Sequence, residues 1–403
     1  MIHTESKHRV VKLMLLFAAV YFTSYITRSN YAAVMAAMVT DTGHPKTVLS
    51  LALTGSFFTY GLGQVASGFF GDHISPRKLL GCGLGISAVC NLLLPMCAEP
   101  WQMIAVWSVN GFAQAFMWPP LVKLMTFLLP EKDYHRGVVW VSYGCNGATI
   151  LLYLVAPVLI PWLGWKSLFY LASVLAVGML VLWLRGCPEI GKVTRKTQGG
   201  EAVLPGGKKA LFAPMMLAVM VAILLHGILK DGVATFMPIY IKETYHTGDE
   251  LAILSGVLMP IFSILSTKAS AVIYKKKFKN PVACAAWVFG LSAVCALLLA
   301  VIGSGSAVVS IVLMALLTGS MHGVNMMLIS SIPPFFKKYG TVSTASGVLN
   351  ACTYVGSAAS TYGIAVLSEN MGWSFTLWMW LAIAVFGGGL CLLAMRPFQK
   401  KML

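Results

Sequence analysis

The sequence predicts an all-α membrane protein of twelve transmembrane helices, arranged as two pseudo-symmetric six-helix halves. Three observations carry this reading. First, 58% of the 403 residues are hydrophobic and only 10% charged, with a mean hydropathy of +0.79. Soluble globular chains do not have this composition. Second, the apolar residues come in runs of about 20 or more, the length a helix needs to cross a hydrocarbon core about 30 Å thick. The alternating pattern of an outer-membrane barrel is absent, so the runs are helices. Third, one long polar stretch divides the runs six and six.

In chain order the expected spans are 11–37, 48–70, 79–98, 101–129, 137–161 and 165–185, then 210–241, 251–274, 281–302, 306–333, 342–368 and 372–395. A basic N-terminus precedes the first span. That span is too long for a cleaved leader and carries Arg28, so it reads as a retained helix. The fourth contains Trp118-Pro119-Pro120, and two prolines free backbone carbonyls there, which predicts a kink. Residues 186–209 include Thr-Arg-Lys-Thr-Gln-Gly-Gly and Pro-Gly-Gly-Lys-Lys and read as a flexible linker. The halves are then 1–185 and 210–403.

The net charge of +16 does not point to nucleic acid. Most of the 29 Lys and Arg fall in loops on one side of the expected topology. The other side holds only Lys46, Lys166 and Lys242. The positive-inside rule places both termini in the cytoplasm, with the protein in the inner (plasma) membrane. The nine cysteines form no CxxC pair and read as small packing residues, not metal ligands or disulfides.

The halves repeat each other weakly. Thr27-Arg28-Ser29-Asn30 with Met35 in the first span matches Leu229-Lys230-Asp231-Gly232 with Met237 in the seventh. Asn110-Gly111 matches Thr318-Gly319. Repeated six-helix halves are the signature of a major facilitator fold, with substrate bound near the midplane between them. Arg28 and Lys230 are then expected to face each other across the pseudo-two-fold axis.

Four bases are embedded in the spans: Arg28, Lys123, Lys230 and Lys268. One acid, Asp231, is embedded with them. Intramembrane ionisable residues are functional candidates by default, and surplus positive charge calls for an anion that arrives, binds and leaves. Arg28 and Lys230 lie near midspan. Lys123 and Lys268 lie nearer the cytoplasmic ends, where a lysine also snorkels to the interface. Adjacent residues on a helix point about 100° apart, so Lys230 and Asp231 are not expected to form a ready-made pair. Asp231 is left to meet another embedded base, a cationic part of the substrate, or a proton. Tyr21, Tyr25, Tyr60, Gln64, Asn146, His226, His322, Asn325, Asn350 and Tyr354 supply a polar lining, with Trp118 at the kink.

Gly68-Phe69-Phe70-Gly71-Asp72-His73-Ile74-Ser75-Pro76-Arg77-Lys78, after the second span, resembles the cytoplasmic motif of the major facilitator superfamily. Gly68, Asp72, Arg77 and Lys78 match it; His73 and Pro76 depart. Gly68 permits close helix approach, and Asp72 is suited to pair with a base or a helix N-terminus as a latch. Pro188-Glu189-Ile190-Gly191 resembles a second superfamily element. The chain has no HExxH, GxSxG or P-loop run, so an enzyme is not expected. Nor is any cofactor, metal or ATP site, and transport would be driven by gradients.

Tyr21, Tyr25, Arg28, Tyr60-Gly61, Trp118-Pro119-Pro120 with Lys123, and Lys230-x-Gly232 with Pro238 and Tyr240 resemble the organophosphate:phosphate antiporter family. The resemblance implies exchange of an organic phosphate for inorganic phosphate by rocking of the halves. It implies that Arg28 and Lys230 clasp the phosphate and that Tyr21, Tyr25 and Tyr60 line the route. Lys230 stands where the family commonly has a second arginine. Gln64 replaces a lysine of the glycerol-phosphate members, and Asn146 lies near the place of their histidine. One Arg, one Lys and one Asp also suit a proton-coupled carrier of a carboxylate, phosphonate or zwitterionic phosphoester. A non-transporting membrane sensor of such anions is the third alternative. The expected partners are a small anionic substrate and membrane lipid, with the protein a monomer.

Overall fold

The computed structural model describes residues 2–44, 46–189, 204–245 and 249–402. Residues 190–203 of the expected linker, with Ile190 and Gly191 of the second superfamily element, lie outside the described residues. The described chain is helical and contains no strand. Its helices are α1 (Ile2–Thr42), α2 (Lys46–His73), α3 (Pro76–Leu93), α4 (Pro100–Gln114), α5 (Trp118–Leu128), α6 (Glu131–Leu163) and α7 (Lys166–Gly186). There follow α8 (Gly207–Leu211), α9 (Pro214–Tyr245), α10 (Asp249–Lys277), α11 (Pro281–Ile302), α12 (Ala307–Asn325) and α13 (Val342–Met402).

Eight segments among the described residues are long and apolar enough to cross a membrane. The other expected spans are also helical, in part more polar or broken by a turn. They are α2, the pair α4 and α5, α10, and the first part of α13. In α2, for example, Thr54, Gly55, Ser56, Thr59, Gly61, Gly63 and Gln64 dilute the apolar residues. The eleventh and twelfth spans join in α13, which breaks at Gly372 (φ 77°, ψ 171°). Only glycine reaches that conformation without strain.

The chain divides into two compact units. The first comprises Met1–Leu204 with Lys337–Val348, and the second Pro205–Phe336 with Leu349–Leu403. The opening residues of α13 therefore pack with the first unit. In that unit α1 packs on α6 and α7, α2 on α4, and α3 on α7. In the second, α12 packs against α9, α10 and α11.

The same packing solutions recur inside each unit. A methyl group on Gly144 of α6 would strike the Ala18 carbonyl of α1, and one on Gly356 of α13 would strike the Leu224 carbonyl of α9. Small residues let helix backbones meet where lipid supplies no hydrophobic drive. Trp165 donates its indole N–H to Asp41 at 2.9 Å, and Trp373 donates to Glu243 at 2.7 Å. Each tryptophan follows a left-handed glycine, Gly164 (φ 70°) or Gly372 (φ 77°). Asp41 follows Arg28 at the spacing at which Glu243 follows Lys230. The repeat thus extends from sequence to hydrogen bonds.

Candidate functional site

In the first unit Arg28 sits in a group of aromatic rings. Its guanidinium carbon lies 4.4 Å from the Tyr25 ring centroid and 5.0 Å from that of Tyr60. Tyr21 packs on Tyr25 at 5.3 Å and on Trp118 at 5.5 Å. Tyr21, Tyr25 and Arg28 share one face of α1 by helical spacing. Tyr60 comes from α2 and Trp118 from the first residue of α5. Ring faces attract a cation, and a guanidinium carries a planar fork whose geometry matches an oxyanion. The Trp118 indole N–H is buried and has no acceptor among the described residues.

The proline pair produces a break rather than a bend within one helix. α4 stops at Gln114, the chain tightens through Ala115–Met117, and α5 starts at Trp118. Phe116 and Met117 amides donate to Ala113 and Gln114 carbonyls at 3.0 and 3.1 Å, bonds of the 3₁₀ type. Pro119 and Pro120 then occupy the first turn of α5, where a helix needs no intrahelical N–H partner.

A buried amide network fixes the back of α1 behind Arg28. The Thr27 carbonyl accepts from Asn91 and Asn110, each at 3.0 Å. Gln114 donates to Thr27 Oγ1 and Ser87 Oγ, each at 2.8 Å, and accepts from Ser24 at 2.6 Å. Asn30 donates to Asn91 at 2.7 Å. α1, α3 and α4 are thus tied together at the residue beside Arg28. Buried polar groups linked in this way rigidify a core. Sequence reading missed Asn30, Asn91 and Gln114 as a set. Their signal was amide side chains in three separate apolar spans.

Gln64 is fully buried in α2. Asn146 donates to Ser142 of its own helix, to the carbonyl at 2.8 Å and to Oγ at 3.3 Å. Lys123 is 4% exposed and engaged by Asp72 at 3.5 Å, and it donates to the Gly71 carbonyl at 2.9 Å, so its ammonium meets the end of α2. Lys268 is exposed on α10.

The four residues expected to form a latch lie within the first unit. The Asp72 carboxylate accepts the amides of Ser343 at 2.9 Å and Thr344 at 2.7 Å, in the first turn of α13. Free amides and the helix dipole favour an anion there. A side chain on Gly68 would press against Ser343 and Gly347 backbone. The expected loop is shorter than the motif: α2 runs to His73 and α3 begins at Pro76. Arg77 and Lys78 reach Glu189 at 3.8 and 3.5 Å, and Arg77 also donates to the Leu184 carbonyl.

In the second unit Lys230 and Asp231 do pair, contrary to the expectation from helical spacing. Lys230 Nζ lies 3.3 Å from Asp231 Oδ1. The four-carbon lysine stem curls far enough to cancel the angle between adjacent positions. Ser357 of α13 donates to the other carboxylate oxygen. His226, one turn before Lys230, is fully buried, and its Nε2 has no partner among the described residues. His226 and His322 are electrostatic neighbours of both Lys230 and Asp231. Asn325 ends α12 where it passes into a π-helical turn, Met326–Ser330. Tyr354 shares a face of α13 with Ser357 by helical spacing.

Comparison with known proteins agrees with this architecture. Residues 17–361 match the Major Facilitator Superfamily. The chain belongs to that superfamily and is an integral membrane protein. Its fold is similar to that of the proton:xylose symporter XylE bound to 6-bromo-6-deoxy-D-glucose. The TM-score is 0.75 over 99% of this chain and 97% of that one, at 12% identity. Among curated relatives, a "Probable hexose phosphate transport protein" of Chlamydia pneumoniae is 28% identical over 42% of this chain and 38% of its own length. The "Glycerol-3-phosphate transporter" of Bacillus subtilis (strain 168) is 28% identical over 42% of this chain and 40% of its own length. The matched region is therefore well under half of each relative's length.

Proposed function

We propose that this protein is a secondary carrier of a small organic phosphate, exchanging it for inorganic phosphate by alternating access in the plasma membrane. Anion recognition falls to Arg28 in the first unit and to Lys230 in the second. Tyr25 and Tyr60 hold Arg28, and Tyr21 and Trp118 line its approach with them. Gly68, Asp72, Arg77 and Lys78 serve the latch. Both termini are assigned to the cytoplasm.

The observation that carries the reading is the intramembrane arginine held by aromatic faces at 4.4 and 5.0 Å, in a ring cluster that continues through Tyr21 to Trp118, whose indole N–H has no acceptor among the described residues. The names of the two relatives supply the substrate class. The test is exchange in proteoliposomes. Vesicles loaded with phosphate should take up labelled organic phosphate, and empty vesicles should not. Uptake driven by a pH gradient without internal phosphate would replace exchange with proton coupling. The specific feature favouring that second reading is the membrane-embedded carboxylate of Asp231.

A further inference from the structure

Lys230 and Asp231 together pose a problem that the exchange reading leaves open. The cation assigned to the substrate already has a counter-anion. Its nitrogen lies 3.3 Å from the Asp231 carboxylate, and the two side chains are 16% and 39% exposed. The contact is longer than a tight ammonium–carboxylate bond, which falls near 2.8 Å. A phosphate that takes Lys230 competes with Asp231 for its charge, and it either shares the ammonium or draws it away.

A carboxylate whose ammonium is shared or drawn away needs a new partner. Water screens part of this carboxylate, but in a membrane-embedded site the loss of its counter-charge still costs free energy. Ser357 offers Asp231 a neutral hydrogen bond. The charged and titratable groups around it are Lys230 and His226 from α9 and His322 from α12. No second permanent cation is among these described neighbours. The more exposed member of the pair is the carboxylate, so it is the acid that is open to an incoming group.

We infer, building on the organic-phosphate reading, that the preferred substrate is a zwitterion: a small phosphoester or phosphonate carrying an ammonium group a few bonds from its phosphorus. Its anionic end takes Lys230 and its ammonium takes Asp231. One ion pair in the protein and one in the substrate exchange partners, and no charge is stranded at any stage. This balance also suits a carrier. Binding has to be favourable enough to load the site and weak enough to release from it.

The test compares 2-aminoethyl phosphate with ethyl phosphate, which differ by the ammonium group. Binding is measured to the purified full-length protein by ligand-induced thermal stabilisation. Wild type should bind the amino ester about tenfold or more tightly, the scale of one charge-assisted bond. Asp231→Asn should remove that preference while ethyl phosphate still binds. Equal wild-type affinity for the two esters, or a preference that survives in Asp231→Asn, overturns the zwitterion inference and leaves the phosphate reading standing. Failure of wild type to bind either ester or inorganic phosphate overturns both. Equal wild-type affinity overturns the inference even if the variant fails to fold.

Discussion

Lys123 and Asp72 form a buried ion pair at 3.5 Å, their side chains 4% and 3% exposed. The pair stands between α5 and the end of α2, and the same carboxylate caps the first turn of α13. Removing one member of a buried pair leaves the other charge uncompensated, at a cost of about 3–5 kcal/mol. Asp72→Asn should therefore lower stability by that order. The double variant Asp72→Asn/Lys123→Met should recover most of the loss, because the stranded ammonium is gone. Thermal unfolding of the purified variants measures both. A double variant no more stable than the single one would show that Lys123 is not what Asp72 neutralises.

Arg28 gives the sharpest test of the anion assignment. Arg28→Ala should fold normally, because the network through Thr27, Asn91, Asn110 and Gln114 holds α1 without it. Ligand binding should fall by about 2–5 kcal/mol, the usual loss when one side of a buried charge pair is removed. Arg28→Lys should recover little, since an ammonium replaces the planar fork. Phosphate binding by calorimetry reads the difference. Wild-type affinity in a well-folded Arg28→Ala protein would remove this residue from the site.

The helix contacts make a prediction about two glycines one turn apart. Gly144 faces the Ala18 backbone, whereas a methyl on Gly147 would meet no atom within 4 Å. Gly144→Ala should cost about 1–3 kcal/mol through overpacking against backbone that cannot yield. Gly147→Ala should be neutral, or stabilising by up to about 1 kcal/mol from helix propensity. The ratio of folded protein after heating separates them. Equal behaviour would mean that α1 and α6 do not meet at Gly144.

Much of this was legible in the sequence because single residues carried it. Apolar run lengths located the helices, and the Gly68 to Lys78 motif pointed to Asp72 as an acid that meets a base and a helix N-terminus. Tyr21 and Tyr25 join the face of Arg28 by i, i+4 and i+7 spacing, whereas Tyr60 reaches it from α2. What was not legible depended on side-chain reach or on contacts between distant spans. Helical spacing separates Lys230 from Asp231, but the lysine stem is flexible enough to close the gap. Depth along the fourth span left Lys123 open to an anion role, while its partner Asp72 lay on another helix. The docking of residues 337–348 on the first unit cuts across chain order, which no run-length argument follows. The Trp165–Asp41 and Trp373–Glu243 bonds lie between these cases. Their acids keep the offset of Arg28 and Lys230, and their tryptophans that of Asn110 and Thr318. The repeat therefore pairs the residues, but only the packed helices bring each indole to its carboxylate.

Those two bonds also mark one end of each unit, and they turn the charge argument into a topological test. Lys166 follows Trp165 and is exposed, and Lys400 is exposed near the end of α13. The loop charges assign Lys400 to the cytoplasm with both termini and Lys166 to the opposite side. Cysteine substituted at Lys400 should react with a membrane-impermeant thiol reagent only in inverted vesicles. Cysteine substituted at Lys166 should react only in intact cells. The native cysteines serve as the background: Cys90, Cys187, Cys284, Cys295 and Cys391 are buried, and Cys82 is exposed. The unsubstituted protein therefore has to be run beside each variant. Labelling of both positions from one side would overturn the assigned span count between them, because Lys166 and Lys400 are separated by an odd number of expected crossings.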